Sequence, residues 1–294
     1  SMTKPVASVA LMMLFDRGRF DLDDPVERFL PAFSGMRIYD PGGFHTPAAG
    51  RITIRQLLNH TSGLILPAFS EHPLRETYVS QGVNGSRSEG TLAKVIDKLG
   101  ELPLLFEPGT RWEYSMATDA VGRLVEVIDG RTFDAFLQDE LLGPLGMVDT
   151  QFYLPQDKIP RFAANYSRDA SGPIHPIDTP SESRYLVVPD YKSGNGGLLS
   201  TMYDYLRFCR MLRNGGTLKG VKILEPETVN LMVQNHLDGD MADMNAADFG
   251  GLDWRGMGFG LGFSVVLDPQ RVGYGNAGMY GWSGAASTYF WLDP

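Results

Sequence analysis

The chain has 294 residues, 43% of them hydrophobic, which is enough for a large core in one domain or two. A net charge of -9 with no run of Lys or Arg argues against a nucleic acid or an anionic membrane surface as partner. The lone cysteine, Cys209, builds neither a disulfide framework nor a thiolate metal site, and no apolar stretch reaches the roughly 18 residues of a membrane span.

Ser1-Met2-Thr3-Lys4 comes first, followed by apolar residues at helical spacing to Phe15 and a polar turn, Asp16-Arg17-Gly18. This pattern predicts a helix that opens on Ser-x-x-Lys. Residues three apart share a helix face, so the Lys4 amine stands beside the Ser1 hydroxyl and can activate an otherwise weak nucleophile. Asp24-Pro25 reads as an N-cap and first helical residue of a short helix ended by Pro31. Residues 34–50 read as a loop. Thr53-Ile54-Arg55-Gln56 is a capping box before a short helix that stops at His60-Thr61-Ser62-Gly63. Residues 66–90 look irregular, a candidate cleft rim, and 91–99 form a helix ended by Gly100. Tyr114 is delivered to the mouth of the next helix, marked by Val121, Leu124, Val125 and Ile128 and closed by Gly130. Thr132 caps a helix to about Leu142, residues 151–195 are a long excursion with short strands or turns, and Ser200-Thr201 starts a helix to Arg213. From Gly256 the pattern turns to strands, one over 258–267 and one over 285–292.

Laid out in this order, Ser1-Met2-Thr3-Lys4-Pro5, Leu57 to Leu64, Pro108-Gly109 with Tyr114-Ser115, Pro144 to Met147, Gly196-Gly197-Leu198 with Ser200-Thr201, and Gly281-Trp282-Ser283-Gly284 resemble the serine β-lactamase superfamily over nearly the whole chain. The nearest branches are class C β-lactamases, penicillin-binding-protein-like hydrolases and the family VIII carboxylesterases. The resemblance implies an α/β (α+β) fold of the β-lactamase/transpeptidase type. Parts of an antiparallel sheet domain flanked by helices come from 1–20 and 256–294, a mainly helical domain from 21–255, and the active site lies in the groove between them. Ser1 is then the nucleophile, and Lys4 and Tyr114 are a coupled acid/base pair. The backbone N–H groups of Ser1 and Ala285 form the oxyanion hole. Trp282, Ser283, Gly284, Met116 and Tyr280 are expected to meet substrate. Superfamily members carry a helix and strands before the nucleophile, and more strands and a closing helix after the third motif. The resemblance therefore implies a chain truncated at both ends, with two recognisable strands and, by itself, poor solubility or activity.

Two departures bear on substrate. Tyr114-Ser115-Met116 replaces the Tyr-x-Asn of lactamases, and Trp282-Ser283-Gly284 replaces Lys-Thr-Gly, so an amide and a cation are exchanged for apolar groups. Both changes favour a small neutral ester over an anionic lactam. Hydrolysis of β-lactams or D-amino peptides, acyl transfer to an alcohol, and an inactive binding scaffold stay open as alternatives. His60 reads as a turn residue. His45, His72, His175 and His236 lack ligand spacing, so neither metal nor other cofactor is expected.

Overall fold

The computed structural model describes residues 1–168, 172–246 and 249–294. The first helix, α1, spans Thr3–Asp16 and is buried on all sides, every residue from Thr3 to Leu14 being shielded from solvent. Such a helix has no polar face because it runs through the interior. Along it packs α2, Ala117–Asp129, whose apolar stripe ends at Gly130 in a left-handed cap. A third long helix, α3 (Met202–Arg213), begins where the Thr201 side chain accepts from the Asp204 N–H, and its Tyr205 hydroxyl donates to the Met2 carbonyl at 2.9 Å. The start of α1 is thereby held by a helix 200 residues further along the chain.

The Thr53 capping box is present, with both reciprocal bonds made, and Thr91 caps the helix Leu92–Gly100. Elsewhere the chain departs from expectation. Residues 66–90 contain a helix, Leu74–Ser80, anchored by the buried Leu74 and by Tyr78, whose hydroxyl donates to the Pro103 carbonyl. Tertiary burial of two residues one turn apart sets this segment, which its mixed composition conceals. Asp24 caps no helix; its carboxylate accepts from the Asp21 N–H and from Arg28, and only a 3-10 turn, Val26–Arg28, follows. The helix after Thr132 covers Phe133–Phe136 and widens to a π-helix over Leu137–Leu142. The loop 34–50 contains a two-residue pairing, Arg37–Ile38 with Thr46–Pro47, and the long excursion contains Asn165–Arg168 paired with Ile174–Asp178. Residues 169–171 of that excursion lie outside the described residues.

The C-terminal part is a four-stranded antiparallel meander, not two strands. β1 (Met257–Phe259), β2 (Ser264–Val266), β3 (Tyr280–Gly284) and β4 (Thr288–Leu292) follow one another across the sheet. The expected single strand over 258–267 is a hairpin, because Gly262 turns the chain at φ +99° against α1. Trp282 lies opposite Phe290, and Gly281 opposite Ser264. One continuous hydrophobic cluster joins α1, the helices and the sheet. No helix among the described residues is long and apolar enough to cross a membrane.

The hairpin is seated on α1 through Gly262, where an added Cβ would collide with the Ser8 side chain, whereas a Cβ at Gly273, also at positive φ (+84°), would meet open space. Gly273→Ala is expected to cost only the left-handed backbone penalty of about 1–2 kcal/mol. Gly262→Ala should add an overpacking loss of about 1–3 kcal/mol. Denaturant unfolding of both variants checks this, and equal losses would show that the hairpin is not pressed against α1.

Candidate active site

Helix α1 presents Ser1 and Lys4 at its start, and the segment before α2 brings Tyr114 to them. The Tyr114 hydroxyl donates to Ser1 Oγ at 2.6 Å, and Lys4 Nζ approaches the same oxygen at 3.4 Å. The Lys4 amine also donates to the Asn195 carbonyl at 3.1 Å and lies 4.2 Å from the centre of the Tyr114 ring. Lys4 is 2% exposed and Tyr114 3%. Three groups capable of nucleophilic attack and proton transfer thus meet around one oxygen, largely out of water.

The remaining expected residues divide. Strand β3 lies beside Ser1, since a Cβ on Gly284 would stand 3.5 Å from Met2 Cγ. Ala285 opens the turn 285–287 that joins β3 to β4, not a strand as its sequence pattern implied, and Ser283 is exposed on β3. Trp282 is buried, with its ring centre 5.7 Å from that of Tyr114. Its indole N–H has no partner among the described residues. Met116 and Tyr280 both pack into the interior. Met116 is fully buried at the start of α2, its N–H donating to the Ile65 carbonyl, and Tyr280 packs edge-on against Phe263, where burial raises its hydroxyl pKa.

Several site residues escape the sequence reading. Phe249 lies 4.6 Å from Tyr114 and parallel to Trp282, Trp254 stacks on Trp282, and the half-exposed Phe69 meets Tyr114 edge-on. Phe249 and Trp254 come from one connection, 233–256, and Phe69 from another, 59–73, where no periodicity marks them. Asp119 is buried near the start of α2 and accepts from Ser193 Oγ at 2.7 Å, from the Asn195 N–H at 3.1 Å and from Asn195 Nδ2 at 2.8 Å. An acid in the first turn of a helix is so ordinary that sequence alone gives it no distinction.

His60 is a turn residue here, at φ +61°, buried against Trp112, Tyr114 and Phe259, with Nδ1 3.0 Å from Ser115 Oγ. Burial first, and the Lys4 charge second, hold its pKa well below the usual histidine value, so it stays neutral. Among the described residues, no group of three or more His, Cys, Asp or Glu is placed to hold a metal ion.

A partly buried serine hydroxyl met by a buried lysine amine and a buried tyrosine hydroxyl, at the start of a helix packed against an antiparallel sheet, accords with the β-lactamase/transpeptidase-like fold. The chain belongs to the beta-lactamase family, whose model matches residues 1–294. Protein Rv1367c of Mycobacterium tuberculosis is 36% identical over 303 residues, covering 100% of this chain and 73% of its own. Esterase EstB of Burkholderia gladioli is 30% identical over 313 residues, with the same coverage of 100% and 73%. Among solved structures, EstCE1, described as a hydrolase with promiscuous acyltransferase activity, superposes with a TM-score of 0.81 at 28% identity, over 100% of this chain and 75% of its own.

Glu113, next to Tyr114 in sequence, has its carboxyl pushed up to about 7 by burial. A carboxyl whose pKa is higher in the folded than in the unfolded chain contributes stability below its unfolded value of 4.5, and that stability is lost as pH rises through about 7. The loss should be about 1–3 kcal/mol. Urea unfolding at about pH 5 and about pH 8 should show this decline in the parent, and Glu113→Gln should flatten it. An unchanged slope in the variant would assign the effect to another group.

Proposed function

We propose that the protein is a serine hydrolase that cleaves small neutral carboxylic esters through an acyl-Ser1 intermediate. The observation that carries the reading is the position of Ser1 Oγ, 2.6 Å from the Tyr114 hydroxyl and 3.4 Å from Lys4 Nζ. In this arrangement the tyrosine donates to Ser1. The Lys4–Tyr114 pair must therefore enter the cycle one proton short, so that it can take the serine proton while Oγ attacks the ester carbonyl. The backbone N–H groups of Ser1 and Ala285 are assigned to the developing oxyanion. Collapse of the tetrahedral intermediate breaks the bond to the alkoxy oxygen, which leaves as the alcohol with the proton held by the pair. Water then attacks the acyl-serine as the pair takes its proton, and collapse of the second tetrahedral intermediate breaks the acyl–Oγ bond, releasing the carboxylic acid while the pair returns the proton to Ser1 Oγ and is again one proton short.

The preference for neutral substrates rests on Trp282. An anionic group brought into a largely desolvated site without a partner cation loses its water for no return. Trp282, Phe249 and Tyr114 supply apolar ring surface instead. EstB is an esterase by name, which supports this reading. Acyl transfer needs only an alcohol in place of the second-step water, and EstCE1, which joins both activities in its description, makes that the second reading.

In the full-length protein, Ser1→Ala should abolish turnover of a short-chain p-nitrophenyl ester. Lys4→Ala and Tyr114→Phe should each lower kcat by at least about 10²-fold, without adding in the double variant. Retained activity in Lys4→Ala would remove the pair from the mechanism. For substrate class, kcat/KM for that ester should exceed kcat/KM for a chromogenic cephalosporin by more than about tenfold, since one charge-assisted hydrogen bond is worth roughly that much or more. Trp282→Lys should narrow the gap. Equal or faster cephalosporin hydrolysis by the parent would favour a lactamase instead.

A further inference from the structure

The Lys4 amine has no carboxylate within ion-pair distance among the described residues; apart from Ser1, its hydrogen-bond acceptor is the main-chain carbonyl of Asn195. That carbonyl belongs to a loop, 193–198, tied down at both ends. At one end Asp119 takes three donors, from Ser193 Oγ, the Asn195 N–H and Asn195 Nδ2. Between the first and the last two of these, Gly194 runs so close to α2 that a Cβ there would collide with the Thr118 carbonyl. At the other end the N–H groups of Gly197 and Leu198 both donate to Thr3 Oγ1 at 3.2 Å. The peptide that receives the Lys4 amine is therefore fixed between α2, which carries Asp119, and α1, which carries Lys4.

We propose that Asp119 is a positioning residue for the reaction: through the Ser193–Asn195 segment it sets where the Lys4 amine stands relative to Ser1 and Tyr114, and its charge biases the proton held by that pair. This rests on the role given to Lys4 above. A structural carboxylate could be satisfied by any donors. All three donors to Asp119, however, come from the two residues that flank Gly194, and two belong to the very residue whose carbonyl meets Lys4. Burial raises the Asp119 pKa, and the hydrogen bonds from Ser193 and Asn195 and then the Lys4 charge act against that rise in favour of the carboxylate. The ionisable groups facing the network are Lys4 on α1, Tyr191 in the chain leading to the loop, and, around Lys4, Tyr114 and His60.

The test compares Asp119→Asn with the parent in the full-length protein. A small displacement of a proton-transfer group is enough to cost a large factor, so kcat for a p-nitrophenyl ester should fall about 10- to 100-fold, with KM within about twofold. Removing the anion withdraws support from the protonated amine. The acid limb of the kcat/KM profile should therefore move to lower pH, a change that loosened packing alone would not cause. Asn195→Ala keeps the carbonyl but removes one donor to Asp119. It should show a smaller fall in kcat, again at unchanged KM, and it carries the test if Asp119→Asn does not fold. If Lys4→Ala is inactive while both variants keep parental kcat and pH profile, the positioning role is wrong and the function stands. If Lys4→Ala is itself active, the underlying reading fails first.

Discussion

A lysine amine withdrawn from water, with no carboxylate within ion-pair distance among the described residues, is the constraint around which this protein is arranged. Lys4 is 2% exposed, and its contacts are a serine hydroxyl, a peptide carbonyl and the face of a tyrosine. An amine buried this way is met by dipoles and a ring quadrupole instead of a full countercharge. The buried α1 takes the amine inside, α2 and the segment before it bring Asp119 and Tyr114, and the 193–198 loop supplies the carbonyl. These pieces are remote in sequence and converge around Ser1 and Lys4.

The sheet serves the same point from the other side. Its hairpin is pressed on α1 at Gly262, and β3 passes Met2 at Gly284, so the end of β3 is placed by the helix that holds the nucleophile. Trp282 on that strand closes an aromatic wall with Tyr114, Phe249 and Trp254. Its indole N–H is buried with no hydrogen-bond partner among the described residues.

What the sequence made legible was chemistry carried by short, ordered signals. Ser1 and Lys4 are one helical turn apart, Tyr114 precedes an amphipathic helix with a glycine stop, and the Thr53–Gln56 box caps a helix as written. Less legible were features set by tertiary contact. The helix Leu74–Ser80 depends on burying Leu74 and Tyr78, and the run 258–267 folds back because Gly262 adopts a positive φ. Met116 and Tyr280 sit beside motif residues in sequence, yet their side chains pack into the interior. Asp119 looked like a common first-turn acid because its partners, Ser193 and Asn195, lie more than 70 residues away.

The most direct measurement is mass spectrometry of the full-length protein quenched during turnover of a short acyl ester. The account predicts an acyl adduct on the peptide that contains Ser1, lost in Ser1→Ala and accumulating when deacylation is slowed. Ester hydrolysis that persists in Ser1→Ala, or an adduct found on another residue, would contradict it.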